Sequence, residues 1–154
     1  MVPLKPVGPD PAGFWSWGRR PITPGRVTVL EPNQIFVFGS NYAGRHGRGA
    51  ALDAVKFGAI RGQGTGLMGQ SYGIATKDHQ LKVLSPAVIG AQVDEFLAFV
   101  EGHPELYFLV TAIGCGLANY TANDIAPLFY RWRLPYNMSM PLPFVEWLNH
   151  RRDG

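Results

Sequence analysis

Apolar residues along this chain follow two patterns, short runs that are typical of strands and 3.6-residue spacing that is typical of helices. Strand patterns cover residues 26–30, 35–38, 71–76 and 106–113. Helical spacing covers residues 48–60, 87–103 and 143–150. A further helix is predicted to open at Thr121, because Thr121 and Asp124 have the spacing of a capping box. The alternation predicts an α/β fold with a mostly parallel or mixed sheet.

The two ends of the chain have a different composition. Residues 1–25 hold six of the thirteen prolines together with Phe14, Trp15 and Trp17, which predicts an irregular N-terminal arm whose aromatics pack on the core. Residues 134–154 are rich in proline and methionine and are predicted to form a C-terminal extension with a short helix. We see no repeat and no long linker, so residues 1–154 are predicted to form a single domain.

Composition and charge exclude several functional classes. With 154 residues, 46% of them hydrophobic and 16% charged, the chain has enough apolar material for one core. The net charge of +3 is scattered and is too weak to predict a nucleic-acid-binding protein. A single cysteine rules out an internal disulfide framework, and the four histidines lack metal-ligand spacing, so we expect no metal and no cofactor. Without an apolar span or leader, we expect a cytoplasmic monomer with no membrane partner.

The first glycine loop, residues 39–49, joins a strand to a helix and has the features of an anion site. Its glycines, Gly44, Gly47 and Gly49, can adopt positive φ and let a ligand approach backbone N–H groups. Its basic residues, Arg45, His46 and Arg48, add positive charge next to the helix. Phosphate is the predicted ligand. The alternative is an ordinary strand-to-helix connection with solvated arginines.

The second glycine loop, residues 113–120, repeats this arrangement after the fourth predicted strand. Strand ends in an open α/β sheet form a ligand-binding crevice, where two such loops can hold both phosphates of a diphosphate. Cys115 is interpreted as a small loop residue whose backbone N–H matters more than its sulfur. The glycines of residues 64–69 match GxGxxG but follow a helix and precede a strand, which reverses the dinucleotide-fold order. We interpret them as a flexible loop at one edge of the cleft.

Lys77 follows the third predicted strand and can therefore point into the same crevice. Its amine can pair with phosphate or, if burial or nearby cations lower its pKa, attack a sugar carbon to give a Schiff base. The alternative is a solvated lysine paired with Asp78.

Residues 34–131 resemble the macrodomains, which bind ADP-ribose and in many members remove it from proteins or nucleic acids. The resemblance lies in Phe38-Gly39-Ser40-Asn41 with residues 44–51, in Ile113-Gly114-Cys115-Gly116-Leu117, and in Thr76-Lys77. The last two strings are most similar to the branch that includes the terminal ADP-ribose protein glycohydrolase. The resemblance implies a three-layer α/β/α fold with a mixed central sheet.

The implied activity is hydrolysis of mono-ADP-ribose from modified protein or nucleic acid. Lys77 is the implied catalytic amine, and Asn41, the second candidate catalytic residue, is expected next to the distal ribose. Without the lysine route, Asn41 and the loop backbone would instead orient a water. The implied ligand-binding residues are Ser40, Asn41, Gly44, His46, Gly47, Arg48, Gly49, Gly114, Cys115, Gly116, Leu117 and Asn119.

The chain departs from that pattern at Ala118, where the glycohydrolase has an assisting aspartate. Asp78, Asn119 or Asp124 can substitute only if the fold brings one of them to the distal ribose. The family's adenine-binding aspartate has no clear match, and Glu31 is the nearest acid. The alternatives are a non-catalytic ADP-ribose reader and, more remotely, a weak nucleic-acid-binding protein.

Overall fold

The computed structural model describes residues 20–131 and 134–153, with side chains described as far as residue 150. These residues form a mixed α/β structure with a six-stranded sheet and four α-helices. The strands are β1 (Ile22–Thr23), β2 (Gln34–Asn41), β3 (Gly66–Met68), β4 (Ser71–Lys77), β5 (Tyr107–Val110) and β6 (Met138–Pro141). The helices are α1 (Gly49–Val55), α2 (Pro86–Glu101), α3 (Ala122–Ile125) and α4 (Leu142–Asp153), and a 3-10 turn, Ala126–Phe129, continues α3.

The sheet has the strand order β1-β6-β5-β2-β4-β3. All neighbouring pairs are parallel except β3 and β4, so the sheet is mixed. Val37 in the centre of β2 pairs with Tyr72 of β4 and with Val110 of β5. The carboxyl ends of these three strands therefore lie at one edge of the sheet, where the loops that follow them meet.

Helices cover both faces of β2 because its apolar side chains alternate between the two faces. Ile35 and Val37 belong to a buried cluster that includes Phe96 of α2. Phe36 and Phe38 belong to a second cluster with the small residues of α1. Phe96 is fully buried, which contributes roughly 1.5–3 kcal/mol relative to an exposed side chain. The loops at the sheet edge are thus mounted on a core packed from two sides.

Several predicted elements are confirmed with adjusted ends. The predicted strands at 35–38, 71–76 and 106–113 are β2, β4 and β5, and β5 is buried as expected. The predicted helix at 87–103 is α2, which begins after Ser85, whose side chain accepts a hydrogen bond from the Val88 N–H. The capping box at Thr121 and Asp124 opens α3. The predicted helix at 48–60 is shorter, since α1 ends at Val55.

The strand predicted at residues 26–30 is wrong. Val27 is buried against α1, but Val29 is 77% exposed and the segment pairs with no described strand. The apolar–polar alternation that predicted this strand reflects the burial of one valine, Val27. The edge strand is instead β1, inside the segment predicted to be an irregular arm, and it pairs with β6.

The C-terminal segment belongs to the core and does not pack outside it. β6 joins the sheet beside β5, and Met138 and Met140 are fully buried. The helix predicted at 143–150 is α4, which places Phe144 in the main buried cluster. The prediction that Phe14, Trp15 and Trp17 pack on the core concerns residues outside those described.

Candidate functional site

A cavity of about 740 Å³ lies at the carboxyl ends of β2, β4 and β5. Both glycine loops line it, as predicted, together with Thr76 and Lys77 at the end of β4. The two loops come close at Gly39, where an added Cβ would lie 3.3 Å from the Gly114 nitrogen. The sheet edge therefore brings both loops to one cleft.

The charged residues that line the cavity are all basic. Arg45, Arg48 and Lys77 line it, and no aspartate or glutamate stands among the described lining residues. The ion pairs within the described part of the chain involve none of these three side chains. The cavity therefore concentrates uncompensated positive charge and suits an anionic ligand.

The first glycine loop is held in place by the side chains of Asn41 and His46, which hydrogen-bond to backbone groups. Asn41 Nδ2 donates to the Arg45 carbonyl at 2.9 Å, and the Arg45 N–H donates to Asn41 Oδ1 at 2.9 Å. His46 is only 1% exposed, and its Nε2 lies 3.0 Å from the Ile60 carbonyl oxygen and 2.9 Å from that of Gln63. Because both partners are acceptors, this nitrogen carries the proton. His46 is thus an internal anchor of the loop.

Close backbone packing supports the same loop from behind. Gly44 has a φ of +70°, and a Cβ there would overlap the backbone of Gly62 and Gln63. The Gly62 N–H donates to the Gly44 carbonyl at 3.0 Å. A Cβ on Gly64 would overlap the Asn41 carbonyl. The GxGxxG segment therefore packs behind the first loop and contributes β3, and its glycines are not among the described residues that line the cavity.

The second glycine loop offers backbone N–H groups to the cavity. Its own turns use some of them: Cys115 donates to the Ala112 carbonyl at 3.1 Å, and Asn119 donates to that of Gly116 at 2.9 Å. The N–H groups of Gly116, Leu117 and Ala118 have no hydrogen-bond partner within the described residues. These three residues line the cavity, so their N–H groups are available there as donors to an anionic ligand.

Cys115 is not equipped to act as a nucleophile. Burial, and to a lesser extent the negative charge of Asp124, raises the pKa of the Cys115 thiol, so the thiolate is disfavoured at neutral pH. Its backbone N–H is already donated to Ala112. That N–H therefore belongs to the turn of the second loop itself.

Lys77 is half-buried at the end of β4 and pairs in register with Asn41 of β2. No ion pair joins it to Asp78 within the described residues, and the Asp78 carboxylate instead accepts the N–H groups of Gln80 and Lys82. The neighbouring Thr76 hydroxyl donates to the Ser40 carbonyl at 3.2 Å, which ties β4 to β2 beside the cavity. The lysine amine is thus presented from a rigid strand end.

Most predicted site residues line the cavity: Ser40, Asn41, Gly47, Arg48, Gly49, Lys77, Gly114, Gly116 and Leu117. Four others are not among its described lining residues: Gly44, His46, Cys115 and Asn119. Gly44 and His46 face the backbone behind the loop, Cys115 packs beside the buried core, and Asn119 is exposed with a φ of +63°.

Sequence reasoning missed Thr111, Ala112 and Leu81, which also line the cavity. Thr111 directly follows β5, and its hydroxyl donates to the Val37 carbonyl at 2.7 Å. The strand pattern ran to residue 113 and therefore placed Thr111 inside the strand. Leu81 has a φ of +64° in the turn after β4, which no local pattern indicated.

The residues considered as substitutes for the assisting aspartate of the glycohydrolase lie elsewhere. Ala118 lines the cavity, whereas Asp78, Asn119 and Asp124 are not among its described lining residues, and Asp124 serves the α3 capping box. Glu31, the nearest match to the adenine-binding acid, is also absent from that lining.

Two further observations concern ligands and surroundings. The described residues contain no group of three or more histidine, cysteine, aspartate or glutamate side chains that could hold a metal ion. In residues 20–131 and 134–153, no helix has the length and apolarity needed to cross a bilayer.

The chain has no match among protein-family models, curated proteins or solved structures.

Proposed function

We propose that the protein binds ADP-ribose in the cleft between the two glycine loops and hydrolyses mono-ADP-ribose from modified macromolecules. The observation that carries this proposal is a single cavity, lined by both loops, in which Arg45, Arg48 and Lys77 meet no lining carboxylate among the described residues. Such a cleft favours a diphosphate over a neutral ligand.

The diphosphate would lie between the basic side chains of the first loop and the free N–H groups of residues 116–118. The distal ribose would lie towards Asn41 and Lys77, which pair at the strand ends. The volume of about 740 Å³ is within the range of small-molecule sites. A mixed sheet covered by helices on both faces supports the three-layer macrodomain-like fold as part of this proposal.

Calorimetric titration with ADP-ribose, AMP and inorganic phosphate tests the binding proposal. ADP-ribose should bind much more tightly than either fragment, because it alone spans both loops. Equal affinities for the three ligands would identify a general anion site and contradict the proposal.

In the hydrolytic step, the Lys77 amine attacks the anomeric carbon of the distal ribose through its nitrogen lone pair. The bond from that carbon to the acceptor oxygen breaks, the acceptor leaves with the electron pair, and the amine gives its proton to solvent. The bond from the anomeric carbon to the ring oxygen then breaks, the ring oxygen takes a proton from solvent, and a Schiff base forms between the carbon and the lysine nitrogen. Water adds to the Schiff base, which releases ADP-ribose and regenerates the amine. The support for this role is that Lys77 lines the cavity and has no ion pair with a described residue.

A non-catalytic ADP-ribose reader is the second candidate. Ala118 favours it, because the cavity has no carboxylate among its described lining residues to act as a general acid or base. A reader would bind ADP-ribose without releasing it from any linkage.

Incubation with aspartate/glutamate-linked and nucleic-acid-linked ADP-ribose separates enzyme from reader and identifies the linkage. Lys77→Ala should abolish release while changing ADP-ribose affinity by only a small factor, and borohydride should trap an adduct on the wild type. Lys82→Ala is the matched control, since Lys82 is an exposed lysine that is not among the described lining residues. Full activity of Lys77→Ala would exclude the lysine mechanism.

A further inference from the structure

The geometry of the first loop points to Arg45 as the residue that binds the ligand's diphosphate and determines specificity there. We infer that Asn41 is a positioning residue that acts through Arg45 and does not itself bind the ribose. This inference rests on the proposed function and assigns a role to a residue that the resemblance leaves out.

Asn41 spends its side-chain amide on the Arg45 backbone. One end accepts the Arg45 N–H and the other donates to the Arg45 carbonyl, both at 2.9 Å. An asparagine amide has two donor hydrogens and two acceptor sites, so half of its hydrogen-bonding capacity is used here. Asn41 is also only 9% exposed, which limits what remains available to a ligand.

His46, which directly follows Arg45, fixes the loop on the other side of Arg45. His46 is buried and donates to the carbonyls of Ile60 and Gln63, while its ring packs edge-on against Phe38 at a centroid distance of 5.4 Å. Arg45 therefore lies between two clamps, yet its own side chain is exposed and lines the cavity. A fixed backbone lowers the ordering cost when the side chain binds.

The chemistry of the Arg45 side chain selects a phosphate. Guanidinium presents a planar fork of donors that matches phosphate oxygens in a bidentate manner, whereas a ribose hydroxyl uses neither its charge nor its geometry. Among the described lining residues no carboxylate competes for it. Arg48 also lines the cavity, but it lacks such a clamp: it is the N-cap of α1, and its side chain makes no capping bond.

A double-mutant cycle with calorimetric titration of ADP-ribose and ADP tests this arrangement. ADP lacks the distal ribose, so it reports on the adenosine and phosphate contacts without any contact to that ribose. Arg45→Ala should lose about tenfold or more in affinity for both ligands, because a charge-assisted contact is removed. Asn41→Ala should also weaken both ligands, and the double variant should bind no worse than Arg45→Ala.

Three outcomes would overturn the inference. Arg45→Ala could bind ADP-ribose like the wild type, Asn41→Ala could weaken ADP-ribose and leave ADP unchanged, or the two losses could add. The second result would place Asn41 against the ribose. Arg45 is exposed, so its variant tests the idea even if Asn41→Ala fails to fold. Arg26→Ala is the charge-matched control, since Arg26 is exposed and is not among the described lining residues.

Inorganic pyrophosphate separates failure of this inference from failure of the proposed function. A wild type that binds pyrophosphate but not ADP-ribose would refute the function, and loss of pyrophosphate binding in Arg45→Ala would still support the role of Arg45. A wild type that binds ADP-ribose, with undiminished binding in Arg45→Ala, would refute the inference alone.

Discussion

The two glycine loops face the same cavity but are built for it in different ways. In the first loop, the Asn41 side chain hydrogen-bonds the Arg45 backbone, and the His46 side chain hydrogen-bonds the carbonyls of a segment behind the loop. The arginine side chains line the cavity. The second loop pairs part of its backbone through its own turns, and the N–H groups of Gly116, Leu117 and Ala118 have no partner among the residues that the structure describes. The first loop therefore offers charged side chains to a ligand, and the second loop offers main-chain N–H dipoles.

This difference determines which substitutions each loop tolerates. Charge on the first loop changes with a single side chain, whereas main-chain donors on the second loop survive most side-chain changes but not a change of backbone conformation. The first loop also depends on contact with the backbone behind it. Substitutions at glycines therefore test how each loop is built more directly than substitutions at exposed residues, because they change backbone conformation and packing.

The largest effect is expected for Gly44→Ala. The residue has a φ of +70°, which costs a non-glycine residue about 1–2 kcal/mol, and its Cβ would overlap the backbone of Gly62 and Gln63. Overpacking adds about 1–3 kcal/mol, so the free energy of unfolding should fall by about 3 kcal/mol. Denaturant unfolding measures this loss. Gly47→Ala is the control, because no atom lies within 4 Å of its added Cβ, and equal stability losses would refute the backbone packing.

In the second loop, Gly114→Ala should reduce stability less than Gly44→Ala does, but it should also weaken ADP-ribose binding. Its φ is +77°, and an added Cβ would lie 3.1 Å from Cδ1 of the buried Ile125. We expect the free energy of unfolding to fall by about 1–2 kcal/mol, and ADP-ribose affinity to fall because the free N–H groups shift. In Gly116→Ala the added Cβ meets open space, so stability should stay within about 0.5 kcal/mol. A destabilised Gly116→Ala would contradict this account.

The central elements could be predicted because local pattern and tertiary environment agree there. β2 and β5 are apolar runs buried on both faces, and α2 has a capped start and one apolar side. β1 and β6 depend on each other across the chain: the hydroxyls of Thr23 and Ser139 are 2.6 Å apart although 116 positions separate them. No local window contains that pairing, so both strands were missed.

The site was predictable as a pair of loops but not in the direction of each side chain. Glycine spacing after two buried strands indicated the cleft, and Lys77 followed from its place after β4. The first loop alternates exposed and buried positions, so Arg45 faces the cavity and His46 faces inward, where its partners are the carbonyls of a distant turn. Sequence spacing shows a basic cluster in either case, and only the fold separates a binding residue from an anchor.

The smallest effect is expected at Cys115, the thiol of the second loop, whose side chain has no role in the proposed binding. Burial, then the Asp124 charge, raises the pKa of Cys115, so the folded protein favours the protonated thiol. Alkylation requires the thiolate, and its rate at pH 7 should therefore be lower in the folded protein than in the same chain in denaturant. As pH rises from the unfolded towards the folded pKa, the unfolded chain loses this proton first, so the thiol's contribution to stability declines in that window. Iodoacetamide kinetics between pH 7 and about 10 measure the shift from the usual cysteine value near 8.5. Equal alkylation rates for the folded and the denatured protein at pH 7 would show that the thiol is open to solvent. A second measurement is the ADP-ribose affinity of Cys115→Ser. If this affinity falls by more than about twofold, the second loop binds through more than its backbone.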